Sequence, residues 1–230
     1  GMVMLEGAQL AAKEVNEAGG VLGRRVELVV RDTEAKPDVA SRKIKTMVEV
    51  EKIEAIVGVL SSAVNFVVNE LVKEPGYQIP WMACNMTEIM MHKADVLAPS
   101  VAFPMTVNQQ AGRATLALAN RVWPNAEYYT IYADYVWGQR MRESALEGMS
   151  IFGGKEIGAD GTPLGTTDFS AVISKARAAK PDVLMVVLAG ADQVNCAKQI
   201  AEFGIPKEMN ILFPMSLITV AYQAGGNAVY

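Results

Sequence analysis

Apolar residues along this chain switch repeatedly between two spacings. Leu5, Ala8, Ala12 and Val15 recur on one helix face, and Gly19-Gly20 ends that pattern. Val26, Leu28 and Val30 then alternate within VELVVRD, which predicts a strand over Val26 to Asp32. A helix opened by Pro37 turns Ala40, Ile44, Met47 and Val48 inward. The strand AIVGVL follows, then a helix carrying Val64, Val67, Val68, Leu71 and Val72, and short strands near Ile79 to Ala83 and Val101 to Phe103.

A second series repeats the alternation. AGRATLALANRVW predicts a helix ended by Pro124, Tyr128 to Ala133 a strand, Trp137 to Met149 a helix, and Lys155 to Ala159 a strand. Thr167 or Asp168 caps the next helix, which buries Phe169, Val172, Ile173 and Ala176 before Pro181. VLMVVL, Val183 to Leu188, has the unbroken apolar character of a strand buried on both faces. A helix through Val194, Ala197 and Ile200 ends at Gly204, and ILF opens a last strand. Strand alternating with helix predicts an α/β fold of parallel sheets flanked by helices.

Phe-Pro-Met occurs twice, at Phe103-Pro104-Met105 and at Phe213-Pro214-Met215, each after a short apolar strand and before a helix. Proline fixes the local backbone at both places, where a two-lobe protein passes its chain from one lobe to the other. The expected division is an N-terminal lobe over 1–103, a C-terminal lobe over 104–213 and the start of a return over 214–230. Hinges fall near 103–105 and 213–215.

Composition narrows the function. The chain has 230 residues, 51% of them hydrophobic, and a net charge of -4 from 21 Lys+Arg against 25 Asp+Glu. The basic residues are scattered, so the stripe a nucleic-acid binder needs is not built. Cys84 and Cys196 have no metal-ligand spacing and read as free, buried thiols. No metal or cofactor is implied. His92 is the only histidine, without a recognisable partner, and reads as a surface or cap residue. No apolar run reaches membrane-spanning length, and GMVMLEGAQLAAKEV lacks the basic start and apolar block of a secretory leader.

The stretch IVGVLSSAVN carries the first candidate chemistry. It runs from an apolar strand through Ser61 and Ser62 into a helix. A helix's first turn has free backbone N–H groups and a positive dipole end, which together favour an anion. The plainer alternative is a serine that only caps the helix, adding about 1 kcal/mol.

Several blocks now resemble a known family: GAQLAAKEVNEAGGVLGRRVELVVRDTEAKPDVA, IVGVLSSAV, YADYVWGQ and TTDFSAVISKARAAKPDVL. They are similar, in order and at natural spacing, to the leucine/isoleucine/valine-binding group of periplasmic receptors that serve ABC transporters. The resemblance runs from about Glu6 to about Gly226. It implies a two-lobe type I periplasmic-binding-protein fold that closes on a small solute and presents it to a membrane permease. It also implies a periplasmic or lipid-anchored extracellular location.

Carried over residue by residue, the resemblance places Ser62, beside Ser61, at the ligand's carboxylate. Asn85, Met86 and Thr87 fall on the next ligand-binding stretch, although Asn85 and Met86 are bulkier than the residues usual there. Trp137 stands where an aromatic often stacks on the ligand, its alternative being a core or hinge aromatic. Ala189 and Gly190 match a pocket-lining stretch.

Two departures qualify that picture. Amino-acid binders of the family place an acid after the strand corresponding to ILF to meet the ligand's ammonium, and here the position falls at Met215. An ammonium buried without a countercharge is costly. The expected ligand therefore bears a carboxylate but no essential ammonium, as an aromatic, aliphatic or keto acid does. Asp134 or Asp192 is the alternative partner that would keep a branched-chain amino acid in play. The resemblance also implies that the chain lacks the family's first central strand and its C-terminal return segment. A homo-oligomer or strand swap is one way to fill that gap.

The rival classes fare less well. A dinucleotide enzyme needs a glycine fingerprint between strand and helix, and a hydrolase a glycine-flanked serine with a histidine; the chain shows neither. The expectation is a binding protein rather than an enzyme. A ligand-sensing receptor domain of the same fold, or a fragment that binds nothing, are the alternatives.

Overall fold

In the computed structural model, residues 2–84, 93, 96–102, 108–216 and 218–225 are described. The chain divides into two units, Gly1–Met105 and Thr106–Tyr230.

The first unit contains α1 (Met2–Glu17), α2 (Pro37–Glu49), β1 (Ile56–Val57), α3 (Ser62–Leu71), β2 (Trp81–Met82) and β3 (Val101–Ala102). Its strands pair in parallel in the order β1-β2-β3, with Ile56 beside Trp81 and Trp81 beside Val101. Ala40 and Ile44 of α2 meet Val64, Val68 and Leu71 of α3 around Trp81, which is 1% exposed. The Trp81 indole N–H donates to the Gly58 carbonyl at 2.5 Å, which meets the need of a buried polar group for a partner. Asn69, fully buried, does the same work for a loop. Its Nδ2 donates to the Val96 carbonyl, and its Oδ1 accepts from the Ala98 N–H, each at 2.8 Å.

The strand predicted over Val26 to Asp32 does not form. From Arg25 to Thr33 the chain makes no helix, turn or bend, and also no ladder, because no strand among the described residues is hydrogen-bonded to it. Alternation is a local property, whereas a strand exists only through its partner. The same unit leaves the predicted inward face of α1 half covered: Leu5, Ala8, Ala12 and Val15 are all partly exposed.

The second unit contains α4 (Asn108–Val122), β4 (Glu127–Ala133), α5 (Val136–Phe152), β5 (Lys155–Thr162), α6 (Ser170–Ala179), β6 (Val183–Val187), α7 (Gly190–Glu202), β7 (Asn210–Leu212) and α8 (Ile218–Ala224). Four parallel strands run in the order β5-β4-β6-β7. Every residue of β6 is buried, and its side chains alternate between two cores. Leu184 and Val186 join Ile131, Phe169, Ile173 and Ile200 on one face. Val183, Met185 and Val187 join Tyr128, Trp137, Met141 and Leu116 on the other. This is the doubly covered parallel sheet that the unbroken apolar run predicts.

Helix α6 begins at Ser170 with Phe169, not the predicted Thr167 or Asp168, at its N-cap, because the chain turns helical only after Phe169 enters the core; the Asp168 carboxylate accepts the Ser170 N–H at 2.9 Å from just outside the helix. Strand β5 runs past the predicted Ala159 to Thr162: its glycines interrupt the apolar pattern, but pairing with β4 resumes after a bulge at Ile157 and continues to Thr162. Helix α8, which packs on α7, carries no strong pattern of its own.

Candidate ligand site

In the first unit, β1 delivers the chain to Ser61, which stands at the N-cap of α3 with extended backbone and whose side chain makes no capping bond. Its carbonyl accepts the Asn65 N–H at 2.9 Å, so the helix has begun there. Ser62 is buried, at 3% exposure, and its hydroxyl has no hydrogen-bond partner among the described residues. The amides of this first turn lack intrahelical acceptors by the geometry of any helix start. Asn85, Met86, Thr87, His92 and Pro104 lie outside the described residues.

In the second unit, parallel pairing sets all four strands with their carboxyl ends on one side, and the segments that follow them gather there. After β4 come Asp134, Tyr135 and Trp137. Asp134 is exposed, and its Oδ1 accepts from Gln139 Nε2 at 3.0 Å. Trp137 is 5% exposed and belongs to the core, with its ring stacked against Tyr135 at 6.2 Å between centroids and 27° between planes. Gly138 makes this turn feasible: a Cβ on it would collide with the Ala133 carbonyl, so only glycine lets α5 start so close to β4.

After β6 come Ala189 and Gly190, both exposed. Gly190 has φ +59°, with open space where a Cβ would stand. The first turn of α7 then ties two other loops together. Buried Asp192 accepts the Gly165 N–H through Oδ2 at 2.9 Å, which anchors the segment after β5. Gln193 Nε2 donates to the Met215 carbonyl at 2.9 Å, which anchors the segment after β7. Pro214 lies in that segment, and its carbonyl accepts from Thr115 Oγ1 at 3.4 Å. Burial pushes the Tyr135 phenol above its ordinary pKa, and the negative charge of Asp192 adds to the shift.

The structure thus brings Asp134, Trp137, Ala189, Gly190 and Asp192 to one end of one sheet. Tyr135, Gln193 and the Gly165 turn join them without having been foreseen. Gln193 and Gly165 enter through contacts between loops far apart in sequence, for which no local pattern exists, and Tyr135 through its stack on Trp137. What they offer a ligand is binding chemistry: aromatic rings, backbone amides and two carboxylates, Asp134 and Asp192, each already accepting a hydrogen bond. Among the described residues no group of His, Cys, Asp or Glu could hold a metal ion. Both cysteines are free, Cys84 only partly buried and Cys196 fully so, its thiol pushed by burial up to about 12.

Comparison with known proteins accords with this architecture. An amino acid binding protein of Pseudomonas aeruginosa is 26% identical over 179 residues, which are 77% of this chain and 46% of that protein. A solute binding protein of an ABC transporter from R. palustris, solved in complex with benzoate, superposes with a TM-score of 0.83 at 20% identity, covering 95% of this chain and 59% of that one. The branched-chain amino acid transporter substrate binding protein of Streptococcus pneumoniae, in complex with isoleucine, also gives 0.83 at 20% identity, covering 99% of this chain and 64% of that one. At these identities the two structures show a shared fold, and this chain spans less than two thirds of the length of each of the three proteins. A family model described as periplasmic binding protein matches residues 1–230. The chain belongs to the periplasmic binding protein family.

Proposed function

We propose that this chain is the solute-binding part of an ABC importer and that its ligand is a small carboxylate lacking an essential ammonium group, such as an aromatic, aliphatic or keto acid. One observation carries the choice of ligand. The segment after β7 presents Met215, partly buried against the apolar core, with its carbonyl taken by Gln193, where an ammonium would need an anion. The nearby buried carboxylate, Asp192, already has Oδ2 occupied by the Gly165 amide. The stacked pair Tyr135 and Trp137 suits an apolar or aromatic body.

In this reading the first turn of α3, with Ser61 and Ser62, receives the carboxylate, and Asn85, Met86 and Thr87 extend that subsite. Trp137, Ala189 and Gly190 are the second unit's contribution. Pro104 and Pro214 mark the hinge crossings, and the ligand-bound form is read by a membrane permease. The reading places the protein in the periplasm or lipid-anchored at the cell exterior, and it requires binding alone, without cofactor or covalent step. A benzoate complex among proteins of this fold supports the ligand class.

A branched-chain amino acid is the second reading. It is favoured by the buried carboxylate of Asp192, of which the Gly165 amide takes one oxygen, and by the isoleucine complex of a protein with this fold.

Thermal shift and calorimetric titration with benzoate, a branched keto acid and isoleucine separate the two. A specific ligand at a hundred times its Kd adds about 2.7 kcal/mol of stability. Binding of benzoate or the keto acid with none of isoleucine is the expected result. Binding of isoleucine that Asp192→Asn removes would establish the second reading instead. A response to none of the three would sink the proposed ligand class.

A further inference from the structure

We infer that Tyr135, rather than Trp137, is the aromatic that the second unit presents to the solute, and that its hydroxyl selects a solute carrying an uncharged hydrogen-bonding group on its apolar body. The inference rests on the reading of the solute as a small carboxylate, and it narrows that class to hydroxylated acids, a hydroxy-substituted aromatic acid first of all.

Trp137 has too little surface left to touch a solute: it is 5% exposed, in the core with Leu116, Met141 and Val187. Tyr135 is its stacking partner, and part of that side chain stays at the surface. Tyr135 packs partly against both cores of the unit, so it lies across the carboxyl end of the sheet. The backbone holds it there. Its N–H donates to the Ala133 carbonyl at 2.8 Å, the Asp134 N–H donates to the Thr162 carbonyl at 2.8 Å, and the Tyr135 carbonyl accepts the Gln139 N–H at 3.0 Å as α5 begins. An aromatic backed by an indole and fixed at its own backbone loses little freedom when a ligand settles on it. The strand paired with β4, β6, leads into Ala189 and Gly190, both exposed, with open space where a Gly190 side chain would stand.

The phenols delivered by β4 are not equally available. The Tyr128 hydroxyl is buried away from any partner, and the Tyr129 hydroxyl is committed to Asp160. The Tyr135 hydroxyl has no hydrogen-bond partner among the described residues. A phenol can donate one hydrogen bond and accept another, so a hydroxyl on the solute can take both roles in return. Charge decides against an acid at that place. Exposed Asp134 and buried Asp192 stand among the same loops, and the charge of Asp192 reaches the Tyr135 phenol. A second carboxylate on the solute would be repelled there, whereas an uncharged hydroxyl is not.

Calorimetric titration of the full chain with para-hydroxybenzoate, para-methylbenzoate, terephthalate and a branched keto acid tests the inference. The methyl compound matches the hydroxyl compound in size but not in hydrogen bonding. The native chain should bind para-hydroxybenzoate about 3–10-fold more tightly than para-methylbenzoate, and terephthalate more weakly than either. Tyr135→Phe keeps the ring and breaks no hydrogen bond within the chain. It should erase the preference for the hydroxyl while leaving the affinity for para-methylbenzoate unchanged. Tyr135→Leu removes the ring and should weaken both by about threefold or more. Far-UV dichroism and melting curves confirm that both variants are folded. The inference is overturned, with the carboxylate reading left standing, by a native chain without the preference, by a preference that survives Tyr135→Phe, by full affinity in Tyr135→Leu, or by terephthalate bound as tightly as para-hydroxybenzoate. Binding of the keto acid and none of the three aromatic acids also overturns the inference alone. Binding of none of the four overturns both.

Discussion

The Tyr129 hydroxyl donates to Asp160 Oδ2 at 2.5 Å, and Asp160 Oδ1 pairs with Lys175 at 2.8 Å. Burial raises the Tyr129 pKa first and the anionic partner adds to it, so the phenol is pushed up to about 12 from an ordinary 10.0. A raised pKa means that the folded chain keeps a proton the unfolded chain releases. The stability linked to it is fully present below about pH 10 and is lost as the pH climbs towards about 12. Tyr129→Phe should therefore flatten the fall in Tm between about pH 10 and pH 12, which melting curves across that window would show. The carboxylate of Glu156 holds a second buried contact: it accepts from Thr130 Oγ1 at 2.6 Å and is gripped by Arg142, which lies over the Tyr132 ring. The Glu156 side chain is 9% exposed and that of Arg142 30%, so the carboxylate is shielded from water and the guanidinium only partly. Glu156→Gln leaves the guanidinium partly buried without its countercharge, and urea titration should record a loss of about 1–3 kcal/mol.

Among the elements, α5 depends on one missing side chain. Gly138→Val forces the helix start away from the Ala133 carbonyl, and overpacking of this kind costs about 1–3 kcal/mol. Denaturant unfolding checks the loss. The displacement should also disturb the Tyr135–Trp137 stack, visible in the near-UV dichroism. Much of this layer could be read in advance from the chain. The strand β6 announces itself because a short, valine-rich apolar run bounded by Pro181 and Gly190 suits a strand covered on both faces, and Ser61 and Ser62 stand out because a strand leads straight into a helix there. The segment Val26 to Asp32 misleads for the opposite reason: its alternation is as good as that of β4, but the ladder that makes a strand is not a local property. The Asp192–Gly165 bond joins residues 27 apart in sequence, and neither type is marked by its neighbours. Of the site, the helix starts and the small residues could be read, and the loop anchors could not.

At the scale of the whole molecule, the two units are built to different standards. The second has four strands of three to eight residues with a core on each face. Among its described residues the first has three strands of two residues each and a long helix, α1, with no fully buried side chain. Less apolar area removed from water means less stability. Thermal unfolding should accordingly show two steps, with limited proteolysis near the midpoint of the first cutting inside residues 1–105 while the second unit stays intact. A single cooperative step with cleavage spread over both units would count against this difference.

The indole buried against the Gly58 carbonyl has a use beyond packing. Trp81 is the one tryptophan of the first unit, and the other two of the three, Trp123 and Trp137, belong to the second. Held in a dry core, Trp81 emits at short wavelength and shifts to the red when its surroundings open to water. The difference between the emission of the native chain and that of Trp81→Phe is then an optical record of the first unit alone. Each half of the molecule carries its own lamp, and the two can be watched separately as temperature, solute or pH is changed.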